Sequence, residues 1–368
     1  MDQAELDAWH MRRALELAER GQGSVEPNPM VGCVIARGAE IIGEGWHRAF
    51  GQPHAEVEAL RLAGHRASGA TMYVTLEPCC HHGKTPPCTQ AVIRAGIRRV
   101  VVTMRDPFPL VAGQGIAELE NAGIEVSVGL MEQEARFLNA PYIKLVSENR
   151  PWVIAKWAMT LDGKIATCTG DSRWISCEIS RDFVHRLRGR VDAVIVGIGT
   201  AQADNPLLTA RPPGPRTAVR IVLDSLGRLP LDSQLVQTAR EIPVLVAVSP
   251  QAPSDRRNQL ESHGCEVFEC NGDSHAERLL ALLDELGRRR MTNVLFEGGS
   301  KVFGTLFDHH LVDEVHVFIA PKIVGGDNGR TPVAGIGVEC LAHAQGLRVI
   351  RCEKSGDDFY ISGRLETI

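Results

Sequence analysis

His54 and Glu56 stand two residues apart, and Cys79 and Cys88 follow with eight residues between them. Imidazole nitrogen and thiolate sulfur are donors that zinc favours, and a catalytic zinc site takes three protein ligands and keeps one position open for water. His54, Cys79 and Cys88 supply that set. Glu56, two residues beyond a ligand, would then stand beside the open position as a proton carrier. Cys80, His81 and His82 could instead close the site as a fourth ligand in a structural centre, a reading that leaves Glu56 without a role. A second chemistry-bearing stretch is Glu297-Gly298-Gly299-Ser300-Lys301-Val302-Phe303-Gly304, which turns from an apolar run into a helix. Bare amides at a helix start can receive phosphate; the plainer reading is a turn that needs glycine for its dihedrals. No G-x-G-x-x-G follows a first strand, so a Rossmann dinucleotide fold fails its own test.

The elements that must position these residues alternate. Periodicity predicts a helix over 4–20 with Gly21 as its C-cap, extended runs over 31–36 and 40–44 joined at Arg37-Gly38, and a helix over 54–63 opened by His54 and Glu56. A strand over 71–76 leads through the cysteine segment into a helix over 89–95, followed by a strand over 100–103, a helix over 115–122, a strand over 124–128 and a helix over 131–147. Such alternation implies a three-layer α/β/α domain. Asn149-Arg150-Pro151 breaks the rhythm, since the residue before proline is biased away from helix, and this gives domains of 1–148 and 149–368. The second half places strands at 152–157, 193–196, 221–223, 244–248, 294–296 and 315–319, with helices at 179–188, 275–288 and 300–309, a second α/β sheet.

The 368 residues carry 40 Lys and Arg against 45 Asp and Glu, a net charge of −5 without any basic block, which disfavours a nucleic-acid partner. No apolar run approaches the roughly 20 residues of a membrane span, and the first segment carries acids throughout and lacks the apolar region of a signal peptide. Ten cysteines spread over such a chain imply a reducing, cytoplasmic setting.

H-x-E with P-C-x-x-C marks zinc deaminases of nucleobases, and the wider Cys79–Cys88 spacing departs from it. His54-Ala55-Glu56, Glu77-Pro78-Cys79 and His81-His82-Gly83-Lys84-Thr85-Pro86-Pro87-Cys88, with Asn28-Pro29 and Val31-Gly32 upstream, resemble instead the bifunctional riboflavin-biosynthesis deaminase/reductase family, over the whole chain. Cys80 stands where that family has serine. Asp106-Pro107-Phe108-Pro109 and Val111-Ala112-Gly113-Gln114-Gly115 resemble a family loop in which Asn and Lys replace Phe108 and Gln114. In the second half Lys156 to Ile165, Ser172 to Ser176, Gly197 to Thr200 and Asp204 to Arg211 are similar to the family's reductase domain.

The resemblance implies a cytidine-deaminase-like first domain and a dihydrofolate-reductase-like second one. It implies zinc, one per chain, on the first, with Asn28, Glu77 and His81 or His82 lining a pyrimidine pocket. On the second it implies NADPH held by Ala158, Trp174, Thr200, Asp204, Ser225, Gly299, Ser300, Lys301, Val302, Phe303 and Gly304. Substrate would be held by Ser172, Arg188, Leu208, Arg211 and Glu297, with Lys156 and Asp204 as candidates for proton support. The implied reactions are hydrolytic deamination of 2,5-diamino-6-ribosylamino-4(3H)-pyrimidinone 5′-phosphate and reduction of its ribosyl chain to ribityl, in a homo-oligomer, dimer or tetramer. Arg188 and Arg211 could together grip the 5′-phosphate. Two rivals make different demands: a deaminase of nucleic-acid bases needs a basic face and no nucleotide-binding second domain, and a zinc-stabilised scaffold without catalysis leaves Glu56 dispensable.

Overall fold

The computed structural model describes residues 1–81, 86–109, 111–326 and 329–366, which divide into two compact units, Met1–Asn149 and Arg150–Ile368. In the first, Asp2 opens α1 (Gln3–Glu19) with a capping box, its carboxylate accepting the Glu5 amide while the Glu5 carboxylate accepts the Asp2 amide. There follow β1 (Gly32–Arg37), β2 (Glu40–Trp46), α2 (Ala55–Ala63), β3 (Thr71–Val74), α3 (Cys88–Arg94), β4 (Arg99–Val102), α4 (Gln114–Asn121), β5 (Glu125–Val128), α5 (Glu132–Leu138) and α6 (Ala140–Glu148). The strands form one sheet in the order β2-β1-β3-β4-β5, with β1 antiparallel to both neighbours and β3, β4 and β5 parallel.

Side chains alternate across a strand, and β1 shows what that achieves. Val34 and Ala36 pack with Met11, Ala14 and Leu17 of α1, while Cys33 and Ile35 pack with Ala55, Ala59 and Ala63 of α2. Helices therefore cover both faces, giving the expected three layers. A Cβ at Gly43 or Gly45 of β2 would come within 2.3 Å of the Ala59 or Ala55 carbonyl oxygen. These glycines let α2 press onto the sheet, which fixes its first turn and the residues His54 and Glu56. The helix expected over 131–147 is two helices, because the Asn139 side chain turns across to Met30, accepting its N–H at 2.8 Å and donating to its carbonyl at 3.0 Å. Ala140 and Pro141 then open α6.

The second unit comprises β6 (Trp152–Thr160), α7 (Glu178–Arg188), β7 (Ala193–Gly197), α8 (Ile198–Asp204), β8 (Val219–Leu223), α9 (Gln234–Gln237), β9 (Val244–Val248) and α10 (Ser254–Ser262). After these come β10 (Glu266–Glu269), α11 (His275–Arg288), β11 (Asn293–Phe296), α12 (Ser300–Asp308), β12 (Glu314–Ala320), β13 (Leu347–Ser355) and β14 (Asp358–Leu365). Nine strands lie in the order β10-β9-β8-β7-β11-β6-β12-β14-β13. The seven from β10 to β12 are parallel and the last two antiparallel. Parallel strands covered on both faces read as continuous apolar runs, and β7 and β9 are buried at every residue. Apolar cores fill both faces of this sheet. In such sheets ligands bind in the crevice beyond the carboxyl ends of the strands.

Candidate active sites

At the start of α2, His54 Nδ1 lies 3.5 Å from Cys79 Sγ and 3.3 Å from Cys88 Sγ. All three donor atoms fall within 4.8 Å of one another, and they form the one metal-capable group of His, Cys, Asp and Glu among the described residues. A tetrahedral zinc with bonds near 2.3 Å to sulfur and near 2.0–2.1 Å to nitrogen sets its donors about 3.5–3.8 Å apart. One nitrogen and two sulfurs at these separations fit that ion, and its fourth position meets no further ligand among the described residues. Cys79, not Cys80, is the thiol in the group. Its thiol is pushed down to about 4, first by the hydrogen bond from Cys88 and then by His54, so the metal-binding thiolate is favoured. Glu56 is 3% exposed, and burial pushes its carboxyl up from the ordinary value, opposed in part by His54.

Around this group lie residues of two kinds. His47 went unnoticed in sequence because it belongs to no motif; its ring centroid is 5.3 Å from that of His54. Its Nδ1 donates to the Pro53 carbonyl at 3.2 Å, which leaves Nε2 to accept from Asn28 Nδ2 at 3.3 Å. Asn28 is thereby oriented beside the metal-capable group. His81 has its ring centroid 6.1 Å from that of Phe108 and a buried Nδ1 that meets no protein partner among the described residues. His82 lies outside the described residues. Glu77 is different: its carboxylate accepts the amides of Asp106, Gly113, Gly115 and Ile116 at 2.9–3.2 Å. Both oxygens hold the 106–116 loop and the start of α4, which makes Glu77 a structural clamp.

In the second unit a cleft of about 1360 Å³ runs along the carboxyl ends of the parallel strands. Pockets for drug-sized ligands hold roughly 300–1,000 Å³, so this one has room for a dinucleotide together with a substrate. Gly299, at φ 98, caps α12 without any side-chain hydrogen bond, which leaves the helix's first amides for an anion. A Cβ on Gly299 would press on Val302 at 3.2 Å, and one on Gly298 on Thr200 Oγ1 at the same distance; glycine keeps this backbone open to a ligand. These observations fit a dinucleotide phosphate at the turn.

Across the cleft, Arg188 Nε donates to Glu297 Oε1 at 2.5 Å and Nη2 to Oε2 at 2.7 Å, while Nη1 donates to the Thr209 carbonyl at 3.3 Å. The pair is nearly buried, with the side chains 14% and 5% exposed. Lys156 lies beside it, its pKa pushed down by burial against the pull of Glu297. Arg211 Nη2 approaches His185 Nε2 at 3.4 Å. Trp174 is 63% exposed, with the Arg181 guanidinium 4.7 Å from its ring centroid.

Residues 151–361 match the family model "RibD C-terminal domain", and 4–104 match the "cytidine and deoxycytidylate deaminase zinc-binding region". The riboflavin biosynthesis protein RibD of Actinobacillus pleuropneumoniae is 43% identical over 358 residues, 96% of this chain and 94% of that protein. The chain belongs to the RibD family. The Escherichia coli RibD is 40% identical over 366 residues, covering 96% of this chain and 97% of its own. Two solved structures share the fold along the whole chain: RibD of Acinetobacter baumannii (TM-score 0.88, 36% identity) and a diaminohydroxyphosphoribosylaminopyrimidine deaminase/5-amino-6-(5-phosphoribosylamino)uracil reductase of Thermotoga maritima (TM-score 0.84, 38% identity). Each aligns over 99% of this chain and 100% of its own. The first unit is thus a zinc deaminase domain of the cytidine-deaminase class and the second a RibD reductase domain.

Of the positions that RibD resemblance assigns to NADPH, Ala158, Trp174, Thr200, Asp204, Ser225 and Gly299 to Phe303 line the cleft, as do Ser172, Arg188, Leu208, Arg211, Glu297 and Lys156. Gly304 does not. Its Cα faces the 334–335 backbone, where a Cβ would lie 2.5 Å from the Ala334 carbonyl carbon, so this glycine serves helix packing. Asp224 and Arg228 after β8, and His275 and Arg278 at the start of α11, also line the cleft, and sequence reasoning passed them over because single polar residues carry no periodic signal.

Proposed function

We propose that the first unit removes ammonia hydrolytically from 2,5-diamino-6-ribosylamino-4(3H)-pyrimidinone 5′-phosphate, and that the second reduces the ribosylamino product to 5-amino-6-(5-phosphoribitylamino)uracil with NADPH. The observation that carries this reading is the placement of a buried Glu56 beside the His54, Cys79 and Cys88 donors in a chain of the RibD family. His54, Cys79 and Cys88 would hold one zinc. Zinc, when bound, supplies the Lewis acidity that lowers the pKa of water toward roughly 7. Glu56, with its carboxyl raised by burial, accepts a proton from the attacking water and returns it to the departing amine, the work of a general base and then acid. Asn28, oriented by His47, donates to the pyrimidine ring.

NADPH, when bound, supplies hydride for C1 of the ribosyl chain opened to its imine. Gly299 and the first amides of α12 would hold its diphosphate, and Trp174, Thr200 and Asp204, which line the same cleft, would help to hold the rest of it. Lys156 lies in the cleft beside the Arg188–Glu297 pair and is the residue placed to give the imine nitrogen a proton. Arg211, an exposed guanidinium on the cleft, meets the substrate phosphate. We further propose that the chain works as a homo-oligomer: β13, the edge strand, is exposed along almost its whole length with Val349 and Ile350 outward, and light scattering measures the mass directly. No described helix is long and apolar enough to cross a membrane.

The test is made on purified full-length protein. We expect about one zinc per chain, ammonia release from the diaminopyrimidinone substrate, and NADPH oxidation once the deaminated intermediate is present. Ammonia release without any NADPH oxidation would overturn the reductase half, and the converse would overturn the deaminase half.

A further inference from the structure

The cleft does not stop at Ser225. It continues past the ends of β8 and β9 to Arg228, Ala247, Val248, Cys270, His275 and Arg278. A dinucleotide whose diphosphate rests at Gly299 needs such an extension for its adenosine half, and the charges there decide which ribose 2′ substituent is accepted.

Two charged elements face this end, the start of α11 and the turn after β8. At α11 the amides are already closed by a capping box in which Ser274 Oγ accepts the Glu277 amide and the Glu277 carboxylate accepts those of Asp273 and Ser274. With Asp273 and Glu277 at its mouth, that helix start repels an anion. Arg278 is drawn back onto this cap by Nη1, which donates to the Gly272 and Asp273 carbonyls at 2.8 and 3.1 Å. At the end of β8 the 224–229 turn presents the contrary case.

That turn is held rigidly by its backbone. The Gly227 amide donates to the Asp224 carbonyl at 3.1 Å and the Leu229 amide to Asp224 Oδ2 at 2.7 Å. Arg256 donates to the Gly227 and Leu229 carbonyls, each at 2.9 Å, and Gln202 of α8 to the Arg228 carbonyl at 3.2 Å. On this braced loop the Arg228 side chain is 58% exposed and donates no hydrogen bond to a described residue; its one ion-pair contact is Nε to Asp224 Oδ1 at 3.8 Å. An acidic residue exposed after such a strand would favour a 2′-hydroxyl, and an arginine a 2′-phosphate. Here the acid is 1% exposed and anchors the turn, whereas the guanidinium is offered to the cleft.

We propose that Arg228, three residues beyond Ser225 on this turn, grips the adenosine 2′-phosphate and so selects NADPH over NADH. The inference rests on the nucleotide reading of the cleft. A guanidinium meets phosphate with two parallel charge-assisted hydrogen bonds, whereas it gains little from a hydroxyl.

The test is calorimetric binding of NADP⁺ and NAD⁺ to the full-length protein and to Arg228→Ala, with melting temperatures taken without nucleotide. We expect the variant to melt with the parent and to bind NADP⁺ roughly 10- to 100-fold more weakly, with NAD⁺ affinity within about twofold. Arg228→Lys should recover part of the loss, and added salt should weaken NADP⁺ binding less in the alanine variant than in the parent. Equal losses for the two nucleotides, or none, would overturn the assignment of Arg228 while leaving the nucleotide site in place. A parent protein that binds neither nucleotide would overturn the nucleotide reading itself.

Discussion

Arg188 and Glu297, 109 residues apart in sequence, meet fork to fork in the reductase cleft, with Nε–Oε1 at 2.5 Å and Nη2–Oε2 at 2.7 Å. The guanidinium that sequence reasoning offered to a substrate phosphate is engaged by a carboxylate that sequence reasoning also offered to the substrate. Removing one member of a buried pair leaves the other uncompensated, at a cost of about 3–5 kcal/mol. For a unit of this size each kcal/mol is worth about 2–4 °C. Glu297→Gln and Arg188→Met should therefore each lower the melting temperature of the reductase transition by roughly 6–20 °C without nucleotide, and the double variant Arg188→Met with Glu297→Leu should recover part of it. An unchanged melting temperature with a raised KM would return Arg188 to phosphate binding.

The Glu77 clamp makes a separate demand. Its carboxylate accepts four amides of the 106–116 loop, and an amide side chain can face them with only one oxygen. Glu77→Gln should speed hydrogen exchange at Asp106 and Gly113 to Ile116 by roughly 10-fold or more, since a buried unsatisfied donor costs about 1–3 kcal/mol, while zinc stays bound. Unaltered exchange there would show that the loop is held by other contacts.

Two adjacent thiols compete for one ligand position. Cys79 Sγ is within 3.5 Å of His54 Nδ1, and Cys80 is outside the group. Metal analysis should find zinc lost from Cys79→Ser and Cys88→Ser and retained near one per chain in Cys80→Ser. Retention by Cys79→Ser with loss from Cys80→Ser would reverse the assignment.

Acid should loosen the second unit through Glu314. Burial opposes its charge, but the His316 ring, Arg364 and Trp152 overcome that and hold it at about 2, below its ordinary 4.5. His316 Nε2 donates to it at 2.9 Å, and His316 Nδ1 and the Tyr360 hydroxyl are hydrogen-bonded at 2.6 Å. A carboxylate with a depressed pKa stabilises the fold above its unfolded value, and that contribution, about 3 kcal/mol here, is lost as pH falls from 4.5 toward 2. Calorimetry across that window should show a steeper fall of the reductase transition for the parent than for Glu314→Gln. Parallel curves would place the acid sensitivity elsewhere.

The zinc donors and the glycine turn were legible because they are clustered in sequence, and the parallel strands because burial on both faces writes continuous apolar runs such as Val244–Val248. What escaped depended on distant partners or weak pattern. The break at Asn139 comes from Met30, 109 residues away, and α10, Ser254–Ser262, is so polar that it shows no apolar stripe. In β13 an exposed edge, Leu347–Ser355, mixes charged and apolar residues on a strand with little to bury. Charged side chains misled for a related reason. A lone Glu77 or Arg188 states its charge in sequence but not whether amides, a carboxylate or a ligand will meet it.

The deaminase mechanism depends on Glu56 carrying protons without holding metal. Zinc content and ammonia release should be measured together on Glu56→Gln in the full-length protein, with reductase turnover as an internal control. We expect about one zinc per chain, ammonia release reduced roughly 10²- to 10⁴-fold, and reductase turnover on the deaminated intermediate unchanged. Near-parental ammonia release with zinc in place would contradict the assignment of Glu56 and, with it, the catalytic reading of the His54, Cys79 and Cys88 centre.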